Sequence, residues 1–242
     1  MKRMLCTAIV LSALVLSAQA AIVSDYELTT GTYASGDASL SVHISNSDLI
    51  NGLSGTLLSG GFHPATVPSD DPSRIATLTD GTFASNGLTV IGADTDGSSN
   101  PSFVLEYTLP SPSGIQEIIV FSGHDNFGDR AFITVQVEVD SGSGYVPLGV
   151  DLTTGAYGQP KPNASAVAFA RVRDSGGGYI ATNVQKIKIT AHNVSHNSTG
   201  IYKKWDDNGP PENNYPNQGT VFKEIDVIGV PATTGEGAWM NY

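Results

Sequence analysis

Short runs of alternating or β-branched residues recur along this chain, and clusters of Gly, Ser, Asn, Asp and Pro separate them. No segment repeats its apolar residues at the 3.6-residue period of a helix. A period of two is typical of strands with one buried face and one solvated face, so the pattern indicates an all-β fold. The predicted strands are residues 39–44, 102–109, 115–121, 131–139, 145–150, 166–173, 184–191 and 220–228. Eight strands favour an antiparallel β-sandwich or jelly roll.

The run 131–139 shows the alternation most clearly. It places residues such as Val137 on the buried face and residues such as Glu138 on the solvated face. Residues 140–145 (Asp-Ser-Gly-Ser-Gly-Tyr) follow, and their small side chains suit a hairpin connection. We therefore expect a meander of adjacent antiparallel strands here.

Residues 1–20 have the pattern of a secretory signal peptide. Lys2 and Arg3 precede a short apolar run at 8–16, and Ala18-Gln19-Ala20 is a cleavage site of small residues. The apolar run is about half of the roughly 20 residues that a membrane-spanning helix needs, so no membrane insertion is expected. The prediction is a secreted or extracellular protein, and the compact signal is typical of bacteria.

The charge and the cysteine usage exclude several classes of partner and site. The chain has 12 Lys and Arg against 23 Asp and Glu, and loss of the signal brings the net charge near −13. Nucleic-acid binding needs concentrated positive charge, which this chain lacks. The one cysteine, Cys6, lies in the signal, so disulfides and thiolate metal sites are excluded from the mature chain. A cation such as calcium, or a neutral sugar polymer, suits this balance better.

The length after the signal suits one domain with a single sizeable core. We expect that domain at residues 21–230, including an N-terminal extension to which the sequence assigns no role. Residues 231–242 contain Trp239 and are expected to form a flexible C-terminal tail.

Several of these segments, in their order along the chain, resemble the discoidin-like, galactose-binding-like β-sandwich family. The segments are 78–81 (Leu-Thr-Asp-Gly), 115–121, 124–130, 131–139, 187–189 (Ile-Lys-Ile) and 224–229 (Glu-Ile-Asp-Val-Ile-Gly). The resemblance implies a sandwich fold that holds ligands on its loops rather than one that transforms them.

The resemblance also implies a structural calcium ion. In the family such an ion often links the Asp-Gly loop to the acidic residue of the last strand. The matching positions here are the carbonyl oxygen of Leu78, the carboxylate of Asp80 and the carboxylate of Glu224. Calcium prefers six to eight hard oxygen ligands, which these residue types supply. The alternative is that Asp80 caps a turn and Glu224 is a solvated strand residue.

The connection 201–219 is the leading candidate for ligand contact. It is polar, contains three prolines and combines aromatic rings with hydrogen-bonding side chains, as sugar rings require. The candidate ligand residues in it are Tyr202, Trp205, Asp206, Asp207, Asn208 and Tyr215. The alternative is that Trp205 or Tyr215 folds back over the edge of the sandwich.

A second polar cluster lies between the strands 115–121 and 131–139. Its candidate ligand residues are His124, Asp125, Asn126 and Arg130, which are suited to clamping a saccharide or to acid–base chemistry. The alternative is that Arg130 pairs with a neighbouring aspartate and fixes the turn.

The sequence contains no nucleophile elbow, phosphate-binding loop or dinucleotide fingerprint, and no catalytic residue is assigned. The prediction is a secreted, non-catalytic module that binds carbohydrate or a cell-surface glycan. One alternative is a structural or adhesive surface protein that binds another protein. A weaker alternative is a hydrolase.

Overall fold

The computed structural model describes residues 21–30, 40–64, 69–83, 90–92, 101–124, 128–154, 165–192, 195–196, 202–203 and 220–232. The signal 1–20 and the tail beyond residue 232 lie outside these residues. The strands are β1 (Ile22–Thr30), β2 (Thr56–Gly60), β3 (Val90–Ile91), β4 (Phe103–His124), β5 (Thr134–Asp140), β6 (Tyr145–Pro147), β7 (Leu152–Thr153), β8 (Ala166–Asp174), β9 (Ala181–Ala191), β10 (Ser195–His196), β11 (Tyr202–Lys203), β12 (Val221–Phe222) and β13 (Glu224–Pro231). One short helix, α1 (Asp71–Ala76), and the 3-10 turns Ser41–His43 and Gly128–Ala131 complete the described elements. The predicted all-β class is confirmed.

The main sheet has nine strands, and all of its pairings are antiparallel. Its path is β1-β8-β4-β9-β5-β6, with β13 and β2 also paired to β4 and β7 paired to β5. Two separate two-stranded sheets are formed by β10 with β11 and by β12 with β3. Among the described residues, no helix is both long enough and apolar enough to cross a membrane.

The long strand β4 curls the sheet. Its first half pairs with β2 and β9, and its second half pairs with β13 and β8. Phe103, at its start, contacts Phe222 with ring centroids 5.0 Å apart, and Val221 bonds to Ser122 near its end. The prediction of two separate strands at 102–109 and 115–121 was therefore wrong. The pairing of β4 with β9 shifts its register between Thr108 and Ser113, where Pro110 and Pro112 lack an amide hydrogen and so interrupt regular pairing.

The main core lies inside the curl. In β5, Val135 and Val137 are buried, whereas Gln136 and Glu138 are partly exposed, as the alternation predicted. In β9, Ile187 and Ile189 are buried in the same way. Both strands contribute their apolar faces to one continuous cluster of buried side chains.

One further local prediction was wrong, and two elements of the structure were not predicted. The described part of the predicted strand 39–44 is instead a 3-10 turn, and its Leu40 is fully buried. The N-terminal extension contributes an edge strand, β1, which pairs with β8. Helix α1 was not predicted either, and at its start the Asp70 carboxylate accepts a hydrogen bond from the Ser73 amide.

A second, smaller cluster lies on the outer face of the sheet. It consists of Leu40, Phe83, Ile119, Phe121, Val167 and Phe169. Residues 40–53 and 78–83 cover this face beside β13, which places them over the side chains of that last strand.

Candidate functional site

The two predicted ligand loops are joined through one buried serine. The Ser122 hydroxyl donates to the carbonyl oxygen of Val221 at 2.5 Å, and the carbonyl oxygen of Arg130 lies 3.3 Å from it. Arg130 ends the first loop, and Val221 lies two residues after the second loop, residues 201–219. The Thr220 hydroxyl adds a bond of 3.0 Å to the carbonyl oxygen of Phe132. Arg130, at the end of the first loop, and Val221, just after the second, are therefore held together at one end of the sheet.

The strand register defines this loop end. Thr30 of β1 and His124 of β4 both align with Ala166 of β8, so three connections leave the sheet at the same level. The described chain ends lie at the opposite end, where the Ala21 amide donates to Ser175 Oγ and the Ala232 amide donates to the Pro112 carbonyl oxygen. Loops gathered on a rigid scaffold, away from the termini, are a common arrangement for ligand binding.

The structure describes three of the ten predicted ligand residues. His124 is the last residue of β4, Arg130 lies in the 3-10 turn Gly128–Ala131, and Tyr202 begins β11. The others lie outside the described residues: Asp125, Asn126, Trp205, Asp206, Asp207, Asn208 and Tyr215. Arg130 Nε is buried, and within the described part of the chain no hydrogen bond reaches it.

The Asp-Gly turn at Asp80 and Gly81 is hydrogen-bonded directly to the last strand, β13. The Gly81 amide donates to Glu224 Oε1 at 3.1 Å, and the Ile225 amide donates to the Leu78 carbonyl oxygen at 2.7 Å. Glu224 is fully buried, so the alternative reading of it as a solvated residue is wrong. Asp80 is exposed, and its Oδ1 accepts bonds from the amide and hydroxyl of Thr82.

Two further acids, the buried Asp226 and the half-buried Asp48, lie beside Glu224 and were not predicted. Asp226 is fully buried, and its Oδ2 accepts from the Ser45 amide at 2.8 Å. Asp48 Oδ1 accepts from the amides of Ile50 and Val227 at 2.9 and 3.2 Å. The sequence signal was two acids, Glu224 and Asp226, on one face of a strand. Alternation assigned that face to solvent because the covering segment was not foreseen.

Each of these acids has one oxygen that is bonded and one that is not. The other oxygen is buried and accepts no hydrogen bond from the described residues; these atoms are Asp48 Oδ2, Glu224 Oε2 and Asp226 Oδ1. The Tyr107 hydroxyl is also buried and has no hydrogen-bond partner among the described residues. Unpaired buried oxygens favour the neutral, protonated carboxyl.

The pKa values of these acids follow from their burial. Desolvation is the largest cause of the rise in the pKa of Glu224 to about 9, and Asp226, Asp80 and Asp48 add to it. Desolvation also raises the pKa of Asp226 to about 7, with contributions from Asp48 and Glu117. Burial likewise raises the pKa of Asp48.

Two oxygen atoms among the described residues are of the type that calcium binds. The unpaired Oε2 of Glu224 and the second lone pair of the Leu78 carbonyl oxygen are suitable donors, whereas Asp80 is bonded within its own turn. In the described ranges, no three acidic or histidine side chains come close enough together to hold a metal ion. Calcium needs six to eight oxygen ligands, so main-chain carbonyls or water would have to complete the shell.

Comparison with known proteins assigns this chain to no family. No protein-family model matches the chain, and no curated protein sequence is significantly similar to it. The discoidin-like resemblance is therefore carried by the short segments of the sequence analysis.

Proposed function

We propose that this protein is a secreted, non-catalytic module that binds carbohydrate through the loops at the His124 end of its sheet. The observation that carries the proposal is the bridge at Ser122, which holds the ends of both candidate ligand loops together. Because chain positions at or beside the ends of the two loops adjoin, we propose that side chains of both loops contact one ligand.

The proposal includes a discoidin-like sandwich as the finer architecture. The two halves of β4 pair with different strands and enclose one apolar core, which is the arrangement that two packed sheet layers require. The chain ends lie away from the loop end, so a ligand would approach the loops without obstruction by the described termini.

The proposal also includes a structural calcium ion at Glu224. Its support is the buried oxygen Oε2, which accepts no hydrogen bond from the described residues and lies beside the Asp-Gly turn. A cation there would compensate the charge of Glu224 and its acidic neighbours and would join the turn to β13. It would stabilise the fold rather than take part in chemistry.

The experiment is a glycan and polysaccharide binding screen of residues 21–242 in calcium. Trp205→Ala is the test variant. Trp239→Ala is the matched control, because it removes the other tryptophan from a segment that is not proposed to bind. We expect saturable binding that Trp205→Ala loses and Trp239→Ala keeps.

Two other outcomes would redirect the assignment. Binding to no glycan would reject the proposal and favour a structural or adhesive protein whose partner is another protein. Release of soluble products over time would show a hydrolase.

A further inference from the structure

A cavity of about 670 Å³ opens between the two segments that cover β13. Its polar side chains are Ser41, Ser45, Asn46 and Thr82, and its apolar surface comes from Ile44 and Phe83. Gly81 completes the described wall. Small-ligand pockets have volumes of roughly 300–1,000 Å³, and this cavity lies within that range.

The cavity walls are held in place from behind. The Ser45 amide is bonded to Asp226, and the Gly81 amide is bonded to Glu224. The Asn51 side-chain amide donates to the Asn46 carbonyl oxygen at 2.6 Å. These bonds fix the backbone of both walls. The lining residues include Ser45, whose hydroxyl also accepts from the Ser47 amide at 3.2 Å, and Asn46, and no charged residue is among them.

The lining determines the class of ligand. Hydroxyl and amide side chains form hydrogen bonds with hydroxyl groups, and Ile44 and Phe83 offer apolar contact to the C–H groups of a ring. No charged side chain lines the described wall, so an anionic or cationic ligand would lose its hydration without gaining an ionic partner.

We propose that this cavity binds a single neutral sugar ring, as a second site separate from the loop end. None of its lining residues belongs to the predicted ligand loops. The inference does not depend on the loop-end proposal, because the cavity and the loops can be blocked independently.

The blocking variant is Ser41→Trp, which places a large ring at the exposed rim of the cavity. The matched control is Val42→Trp, because Val42 is the next residue, is 76% exposed and does not line the cavity. Each protein is titrated with galactose, glucose and mannose and followed by two-dimensional amide NMR. Galacturonate serves as a charged counterpart of galactose.

We expect saturable shifts of the amides at 41–46 and 81–83 with at least one neutral hexose. Ser41→Trp should weaken binding at least tenfold, Val42→Trp should leave it unchanged, and galacturonate should bind more weakly than galactose. If Ser41→Trp does not fold, Asn46→Ala, which removes an exposed amide from the lining, should weaken binding several-fold.

Two results would overturn the inference. One is the absence of saturable shifts with any of the three hexoses. The other is binding that the cavity variants leave unchanged. Trp205→Ala separates the two sites, because it should leave hexose binding in the cavity intact while it removes polysaccharide binding at the loop end.

Discussion

The main-chain amide of Gly81 donates a hydrogen bond of 3.1 Å to Oε1 of the fully buried Glu224, 143 residues away in sequence. The bond ties the Asp-Gly turn to the last strand of the sheet. Gly81 has a φ of +74°, and a Cβ atom there would lie 3.0 Å from Asn46. The turn thus approaches its neighbour as closely as a residue without a side chain allows.

Gly81→Ala should destabilise the fold more than the same change at Gly52. Gly52 has a similar φ of +71°, but a Cβ atom there meets nothing within 4 Å. Both variants incur the left-handed backbone cost of about 1–2 kcal/mol, and only Gly81→Ala adds the clash with Asn46. Urea unfolding of the two variants measures the difference. Equal losses would show that the close approach to Asn46 has no energetic effect.

Stability in the presence of a chelator should fall as the pH rises from 4 to 9. A carboxyl whose pKa is higher in the folded state stabilises below its unfolded pKa and loses that contribution as the pH passes its folded value. The window runs from 3.8 to about 7 for Asp226 and from 4.5 to about 9 for Glu224. Urea unfolding at several pH values measures this slope.

The control for the pH effect is the double variant Glu224→Gln, Asp226→Asn. Both amides keep an oxygen that accepts from Gly81 and Ser45, but neither titrates. The slope should flatten. The pKa of Asp25, which lies beside Arg171 and Arg173, is lowered. Its contribution to stability therefore increases with pH at low pH, and it does so equally in both proteins. A slope that stays the same in the double variant would contradict the assignment.

Calcium should raise the melting temperature, and the rise should grow between pH 6 and pH 9. A cation at Glu224 competes with the proton that the buried carboxyl otherwise holds, so binding strengthens as the proton leaves. The stabilisation follows RT ln(1 + [L]/Kd). Scanning calorimetry with calcium and with chelator measures it, and Glu224→Gln should abolish the difference. Identical melting temperatures in calcium and in chelator would contradict the proposed calcium site.

The alternation of residues was sufficient to predict much of the sheet. Val137 and Glu138 take opposite faces of β5 as expected, because burial of one face against the core is a local property of a strand. The edge strand β1 was missed for the opposite reason. Its partner β8 begins more than 130 residues after it, and no local signal in 22–30 specifies that pairing.

The buried acids could not be predicted from their own strand. Glu224 and Asp226 point away from the main core, and alternation places such residues in water. They are buried because residues 40–53 and 78–83 fold over them, and Ser45 and Gly81 then donate main-chain hydrogen bonds to them. Only the tertiary arrangement brings the covering segments to this face.

The last prediction concerns Ser122→Ala, which removes the bridge between the two candidate ligand loops. The Val221 carbonyl oxygen loses its donor, so the loss of stability should be about 1 kcal/mol, and glycan binding at the loop end should weaken as the loops separate. Ser113→Ala is the matched control. Ser113 is also buried and donates to a main-chain oxygen, that of Ser111, but it pairs with Pro231 near the opposite end of the molecule. Chemical denaturation should show similar losses for both variants. Isothermal titration should show weaker glycan binding for Ser122→Ala alone. Equal binding by both variants would show that the Ser122 bridge does not contribute to ligand binding.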